Sequence, residues 1–158
     1  MRIYLDTSAF VKNYHTEKGS DQIEPIFEDA KNGKCTLVMS IWVISETINA
    51  LDKHRMRKEL SQKELNKIVG TILHDISDLM DKNVLEIVDI ETESLKISWE
   101  FIINDHLSCS DSLHLVTALQ KNCDIFLAAD QYLVKVAKKK ISAYDVETEK
   151  IEFNTNEK

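Results

Sequence analysis

Short apolar runs rich in β-branched and aromatic residues recur along the chain, each separated from the next by a longer stretch with helical spacing. This alternation restricts the possible fold more than any other feature. RIYL (2–5), TLVM (36–39), VLEIVDI (84–90), IFLAA (125–129) and a last short run near 141–144 read as strands. SAFVKNYH and SDQIEPIFEDAKNG read as helical, the second closing near Gly33, and Ser40 can cap a helix through IWVISETINALDKHRMRK. From Ser61 onward Leu65, Ile68, Val69, Ile72, Leu73, Ile76 and Leu79 repeat by threes and fours, and further helices fall near 92–104, 109–121 and 131–139. The order predicts an α/β fold, a three-layer α/β/α sandwich around a mainly parallel five-stranded sheet. The two helices between the second and third strands form a projecting helical hairpin.

With one Pro and three Gly in 158 residues, little of the chain is available for loops. No repeat or linker interrupts residues 1–150, which read as a single domain, and residues 151–158 as a polar C-terminal tail. Met1 leads straight into a strand-like run without the longer apolar core of a signal peptide, and no stretch reaches membrane-spanning length, so a cytoplasmic protein without membrane contact is expected. Cys35, Cys109 and Cys123 are dispersed and lack zinc-ligand spacing; they read as small buried apolar residues in a reducing compartment. The net charge of −7 argues against nonspecific coating of nucleic acid, which depends on phosphate neutralisation, without excluding a nucleic-acid substrate.

In parallel α/β sheets the ligand site lies outside the carboxyl ends of the strands. Asp6 immediately follows RIYL, and Asp130 follows IFLAA. Glu46 interrupts a helix face made by Val43, Ile44 and Ala50, while Asp111 opens the helix that leads into the fourth strand. Distant parts of the chain thus deliver carboxylates to one rim. Each acid also has a local explanation: Asp6 as an N-cap, Asp111 as partner of Ser108 in an S-x-x-D capping box, Asp130 as a turn residue and Glu46 as an exposed helical residue. Those explanations do not account for the shared position. An all-oxygen site suits a hard cation, Mg²⁺ or Mn²⁺, and phosphodiester hydrolysis is the matching reaction. His114, three residues after Asp111 on the same helical face, could stand near the site, but a single His on an amphipathic helix is more often structural and is read so.

The segments YLDTSAFVK (4–12), ISETINAL (44–51), LSCSDSLHLVTAL (107–119) and FLAADQYL (126–133) resemble, in order and across nearly the whole chain, the acidic motifs of PIN domains, most closely those of VapC-type toxins. The resemblance implies a metal-dependent endoribonuclease in which Asp6, Glu46, Asp111 and Asp130 are the catalytic, metal-binding acids, Asp6 and Asp111 being direct ligands. It implies that Ser8 is a supporting hydroxyl, that the protein forms a homodimer, and that a VapB-like antitoxin covers the active site. The RNA target is not inherited. One departure is Ala128, where family members often carry Thr or Ser. A noncatalytic PIN-like module binding RNA or protein, and an RNA-processing PIN nuclease that is not a toxin, remain as alternatives. Lys53, His54, Arg55, Arg57 and Lys58 form one basic cluster and Lys135, Lys138, Lys139 and Lys140 another. Arg55, Arg57 and Lys58 are candidates for phosphate contact, against a plain reading of each cluster as a solvated helix end.

Overall fold

The structure, a computed structural model, describes residues 1–152. The elements follow in the order β1 (Arg2–Leu5), α1 (Thr7–Phe10), a 3-10 turn (Val11–Asn13), α2 (Ser20–Lys31), β2 (Thr36–Ser40), α3 (Ile41–Met56) and α4 (Gln62–Asp81). There follow β3 (Leu85–Val88), α5 (Thr92–Asp105), α6 (Cys109–Gln120), β4 (Ile125–Ala128), α7 (Gln131–Ala137) and β5 (Ser142–Asp145). The segment SAFVKNYH divides into α1 and the 3-10 turn, where the N–H groups of Tyr14 and His15 both donate to the Val11 carbonyl. Of the expected polar tail, Ile151 and Glu152 are described and the remainder lies outside the described residues.

The strands form one parallel sheet in the order β3-β2-β1-β4-β5. Because successive strand residues point to opposite faces, each central strand contributes to two cores. Ile3, Leu5, Leu37, Met39, Ile125 and Leu127 pack with α1 to α4, whereas Tyr4, Val38, Phe126 and Ala128 pack beneath α5 to α7. Helices on both faces make the three layers. The α3–α4 hairpin is anchored by its inner stripe, since Leu51, Leu65, Ile72, Ile76 and Leu79 all join the first core while Leu73 stays outside at 52% exposure. Ser61 and Glu64 start α4 with reciprocal capping bonds. Cys35 and Cys123 are buried as expected, but Cys109 is exposed in the first turn of α6.

From β1 the chain moves outward through β2 to β3, then returns to the other side of β1 as β4. The helices that follow β1 and β4 pack on opposite faces of the sheet. Their strands' carboxyl ends therefore sit at a topological switch point, where such sheets open a crevice.

Candidate active site

Asp6 occupies that crevice because β1 ends one residue earlier and α1 begins one residue later. Its carboxylate caps α1, with Oδ1 accepting the Ala9 N–H at 2.8 Å, and it also accepts the Ser8 hydroxyl at 2.7 and 2.9 Å. The Ser8 Oγ in turn accepts the Ala129 N–H at 2.7 Å, so one hydroxyl ties Asp6 to the turn that follows β4. Only 5% of Asp6 is exposed. Burial pushes its pKa up to about 6, outweighing the opposing effects of His114, the Ala9 N–H and Ser8, while the neighbouring charge of Asp111 pushes the same way.

Asp130 caps α7, accepting the Leu133 N–H at 2.8 Å. Asp111 lies in the first turn of α6, where the Ser108 Oγ accepts the Asp111 N–H at 3.1 Å and donates to its carboxylate at 2.7 Å. The capping expectation is thus met in one direction: the side chain of Ser108 caps, but the carboxylate of Asp111 takes a hydroxyl rather than the backbone N–H of a reciprocal box.

Glu46 is placed by α3 among several donors. Its Oε2 accepts from the Thr7 hydroxyl and from His114 Nε2 at 2.8 Å, and its Oε1 accepts from the Ser110 hydroxyl. Burial alone would raise its pKa, yet the bonds from His114, Ser110 and Thr7 prevail and hold it down at about 2. Thr7, Ser110 and His114 are site residues the sequence reading did not assign. Thr7 adjoins Asp6, Ser110 adjoins Asp111, and His114 shares the helical face of Asp111, so adjacency to the acids was the available signal.

All four acids and Ser8 line one cavity of about 470 Å³. Lys12, buried to 2% exposure, forms part of its wall and is held by Glu147 at 2.7 Å and Glu17 at 3.3 Å. Lys53 and His54 also reach the cavity, whereas Arg55, Arg57 and Lys58 are not among its lining residues; Arg55 instead pairs with Asp52 at 2.8 Å. Of the second basic cluster, Lys138 pairs with Glu149 and Lys139 with Asp105. Ala128 is fully buried in the second core and is not among the residues lining the cavity.

Among the described residues no three His, Cys, Asp or Glu side chains already form a metal-ligand cluster. The donors nevertheless fit a hard cation: carboxylate oxygens share one cavity, and buried Asp6 carries an unfavourable charge that a cation would offset.

An acid-lined crevice at the switch point of a parallel α/β sheet stands where folds of this class bind their ligands. The PIN domain model matches residues 3–139, and the chain belongs to the PIN domain family. Solved structures share the fold at low identity. VapC20 of Mycobacterium tuberculosis, described as a sarcin–ricin loop cleaving toxin, is 14% identical with a TM-score of 0.61 over 85% of this chain and 94% of that one. FitAcB of Neisseria gonorrhoeae is 14% identical, TM-score 0.65, covering 91% and 97% of the two chains. VapBC2 of Rickettsia felis, bound to a DNA fragment from its promoter, is 17% identical, TM-score 0.62, covering 91% and 98%. No curated protein matches the chain.

Proposed function

We propose that this protein is a Mg²⁺- or Mn²⁺-dependent endoribonuclease, the toxin of a VapBC-type toxin–antitoxin pair. The observation that carries the reading is the arrival of Asp6, Glu46, Asp111 and Asp130, from separate elements, in one cavity at the switch point. Family membership supports a nuclease, and the fold shared with VapC20 and VapBC2 supports the toxin assignment.

Asp6 and Asp111 would hold the cation directly, with Asp130 and Glu46 completing the negative field. When bound, such a cation stabilises charge on a phosphoryl oxygen and acidifies the attacking water. Ser8 fixes the carboxylate of Asp6 against the turn after β4, and Thr7, Ser110 and His114 fix Glu46, so the acids keep their directions as substrate enters. Because Asp6 holds its proton up to about pH 6, cation binding must displace that proton and weakens below that pH.

A VapB-like antitoxin and a second copy of this chain are the proposed partners, and the cytoplasm the proposed site of action. Among the described residues no helix is long and apolar enough to cross a membrane. The test is incubation of the purified protein with a mixed RNA pool in Mg²⁺, Mn²⁺ or EDTA. Internal cuts that need metal and vanish in Asp6→Asn are expected. Tight RNA binding without cleavage under any metal would replace this reading with a noncatalytic PIN-like module. Co-expression with a neighbouring small DNA-binding protein, followed by mass measurement of the complex, tests the partner assignments.

A further inference from the structure

His114 lies in the buried part of α6 at 1% exposure, yet both of its ring nitrogens are engaged. Nε2 meets Glu46 Oε2 at 2.8 Å, and Nδ1 meets the hydroxyl of Tyr4 at 2.9 Å. Tyr4 is itself fully buried on β1, stacked on Phe126 with centroids 5.4 Å apart, and its oxygen accepts the Ser40 N–H at 3.3 Å. We propose that His114 is a positioning residue of this site, holding Glu46 through an Nε2–H bond whose direction is set by Tyr4.

The direction follows from counting protons. Burial raises the pKa of Tyr4, so the phenol keeps its single proton. The Tyr4 oxygen already receives the Ser40 N–H, and His114 Nδ1 at 2.9 Å is its side-chain hydrogen-bond partner, with the Ser40 hydroxyl as a further neighbour of the phenol. An Nδ1 that accepts leaves the ring proton on Nε2, where it points at the carboxylate. The opposite tautomer would set a bare Nε2 against the carboxylate oxygen 2.8 Å away, two acceptors facing each other with no proton between them. The chain therefore runs one way, from the Ser40 N–H through Tyr4 and His114 to Glu46.

Its consequence bears on how Glu46 is used, and rests on the proposed nuclease reading of the cavity. A carboxylate offers about four acceptor positions. Thr7, His114 and Ser110 occupy Glu46 on both oxygens, two of them on Oε2. Glu46 then serves as a fixed charge beside Asp6, Asp111 and Asp130, with Oε1 keeping the remaining capacity. Ligand-orienting partners of this kind commonly contribute about 10- to 100-fold to metal affinity or activity when removed.

Long-range ¹H–¹⁵N spectra of the metal-free full chain should show His114 with a protonated Nε2 and a bare, hydrogen-bonded Nδ1. Tyr4→Phe should shift the Nδ1 resonance while leaving the fold intact. In RNA cleavage His114→Leu should lower kcat about tenfold or more with KM nearly unchanged, and His114→Gln, which retains an amide donor, should recover part of the loss. An Nδ1–H tautomer or an imidazolium in the metal-free protein would overturn the assignment, as would folded His114→Leu cutting as fast as wild type. A wild-type protein that never cuts RNA would sink the nuclease reading, while the tautomer spectrum would still decide the role of His114.

Discussion

Glu46 and Asp6 line the same cavity, and their surroundings drive them in opposite directions. Glu46, with a quarter of its side chain exposed, is met by hydroxyls and an imidazole, and its pKa falls to about 2. Asp6 is almost wholly buried with one hydroxyl and one amide, and its pKa rises to about 6. One side of the site is thus charged and satisfied before any ligand arrives, while the other gains from a cation. Buried carboxylates short of donors are where a protein spends stability on function.

The largest effect should fall on the unsatisfied side. Asp6→Asn removes a charge without changing shape and keeps an oxygen to cap Ala9, so cleavage should fall by about 10³-fold or more, with RNA binding retained. The comparison breaks if Glu46→Gln proves the more damaging of the two in the same assay.

Stability without metal should separate the two acids by sign. The pKa of Asp6 moves from its ordinary 3.8 to about 6, so the native state binds the extra proton, and stability falls as pH rises through that window. Asp6→Asn should therefore be more stable than wild type at pH 7, by on the order of 2 kcal/mol, and the advantage should fade towards pH 4. The pKa of Glu46 moves from 4.5 to about 2, so its contribution is present above its unfolded value and lost as pH falls through the window between them. Glu46→Gln should cost on the order of 1 kcal/mol at pH 7, discounted for partial exposure. Denaturant melts of both variants at pH 4 and 7 give the signs; two variants shifting the same way would show that donor supply is not what distinguishes the acids.

Much of the donor-poor side was legible in the sequence. Asp6 and Asp130 follow strands, and strand runs are readable from their apolar composition, so the rim and its acids emerge together. The donor-rich side was hidden for physical reasons. Thr7 and Ser110 sit in first turns, where a hydroxyl ordinarily caps backbone, and nothing local marks one aimed at a carboxylate on another helix. His114 repeats at the same helical spacing whether its face meets apolar core or a polar partner. Its partner Tyr4 lies 110 residues away on a strand whose alternation reveals which face a side chain takes but not what its hydroxyl meets. Cys109 was misplaced because small apolar character does not fix which side of a helix's first turn faces water.

Metal should sharpen the contrast at an intermediate scale. Asp111 is held by Ser108 alone among the described hydrogen bonds, so it resembles Asp6 more than Glu46. In metal-free buffer Asp111→Asn should be no less stable than wild type, unless the local contact with Ser108 dominates at about 1 kcal/mol. A cation that binds only the native state raises its stability by mass action, so Mn²⁺ should raise the Tm of wild type more than that of Asp111→Asn. Equal shifts would move Asp111 out of the metal site and leave it a partner of its cap.

The smallest effect concerns how RNA reaches an acidic cavity. Arg55 at the end of α3 is already neutralised by Asp52, and Arg57 and Lys58 lie outside the cavity lining, whereas Lys53, one turn earlier, is exposed and reaches it beside His54. A cation near the reacting phosphate should release more counterion than one already paired. Each phosphate contact on a single strand contributes about 0.7 to the slope of log affinity against log salt. Lys53→Ala should therefore flatten that slope by nearly one contact, and Arg55→Ala and Arg57→Ala by less, with the cleavage position unmoved because phosphate contacts carry little sequence information. The measurement is binding of uncut RNA by the Asp6→Asn protein across a salt series. A flatter slope in Arg55→Ala than in Lys53→Ala would place the RNA path along the helix end, making the Arg55–Asp52 pair a contact that opens when substrate binds.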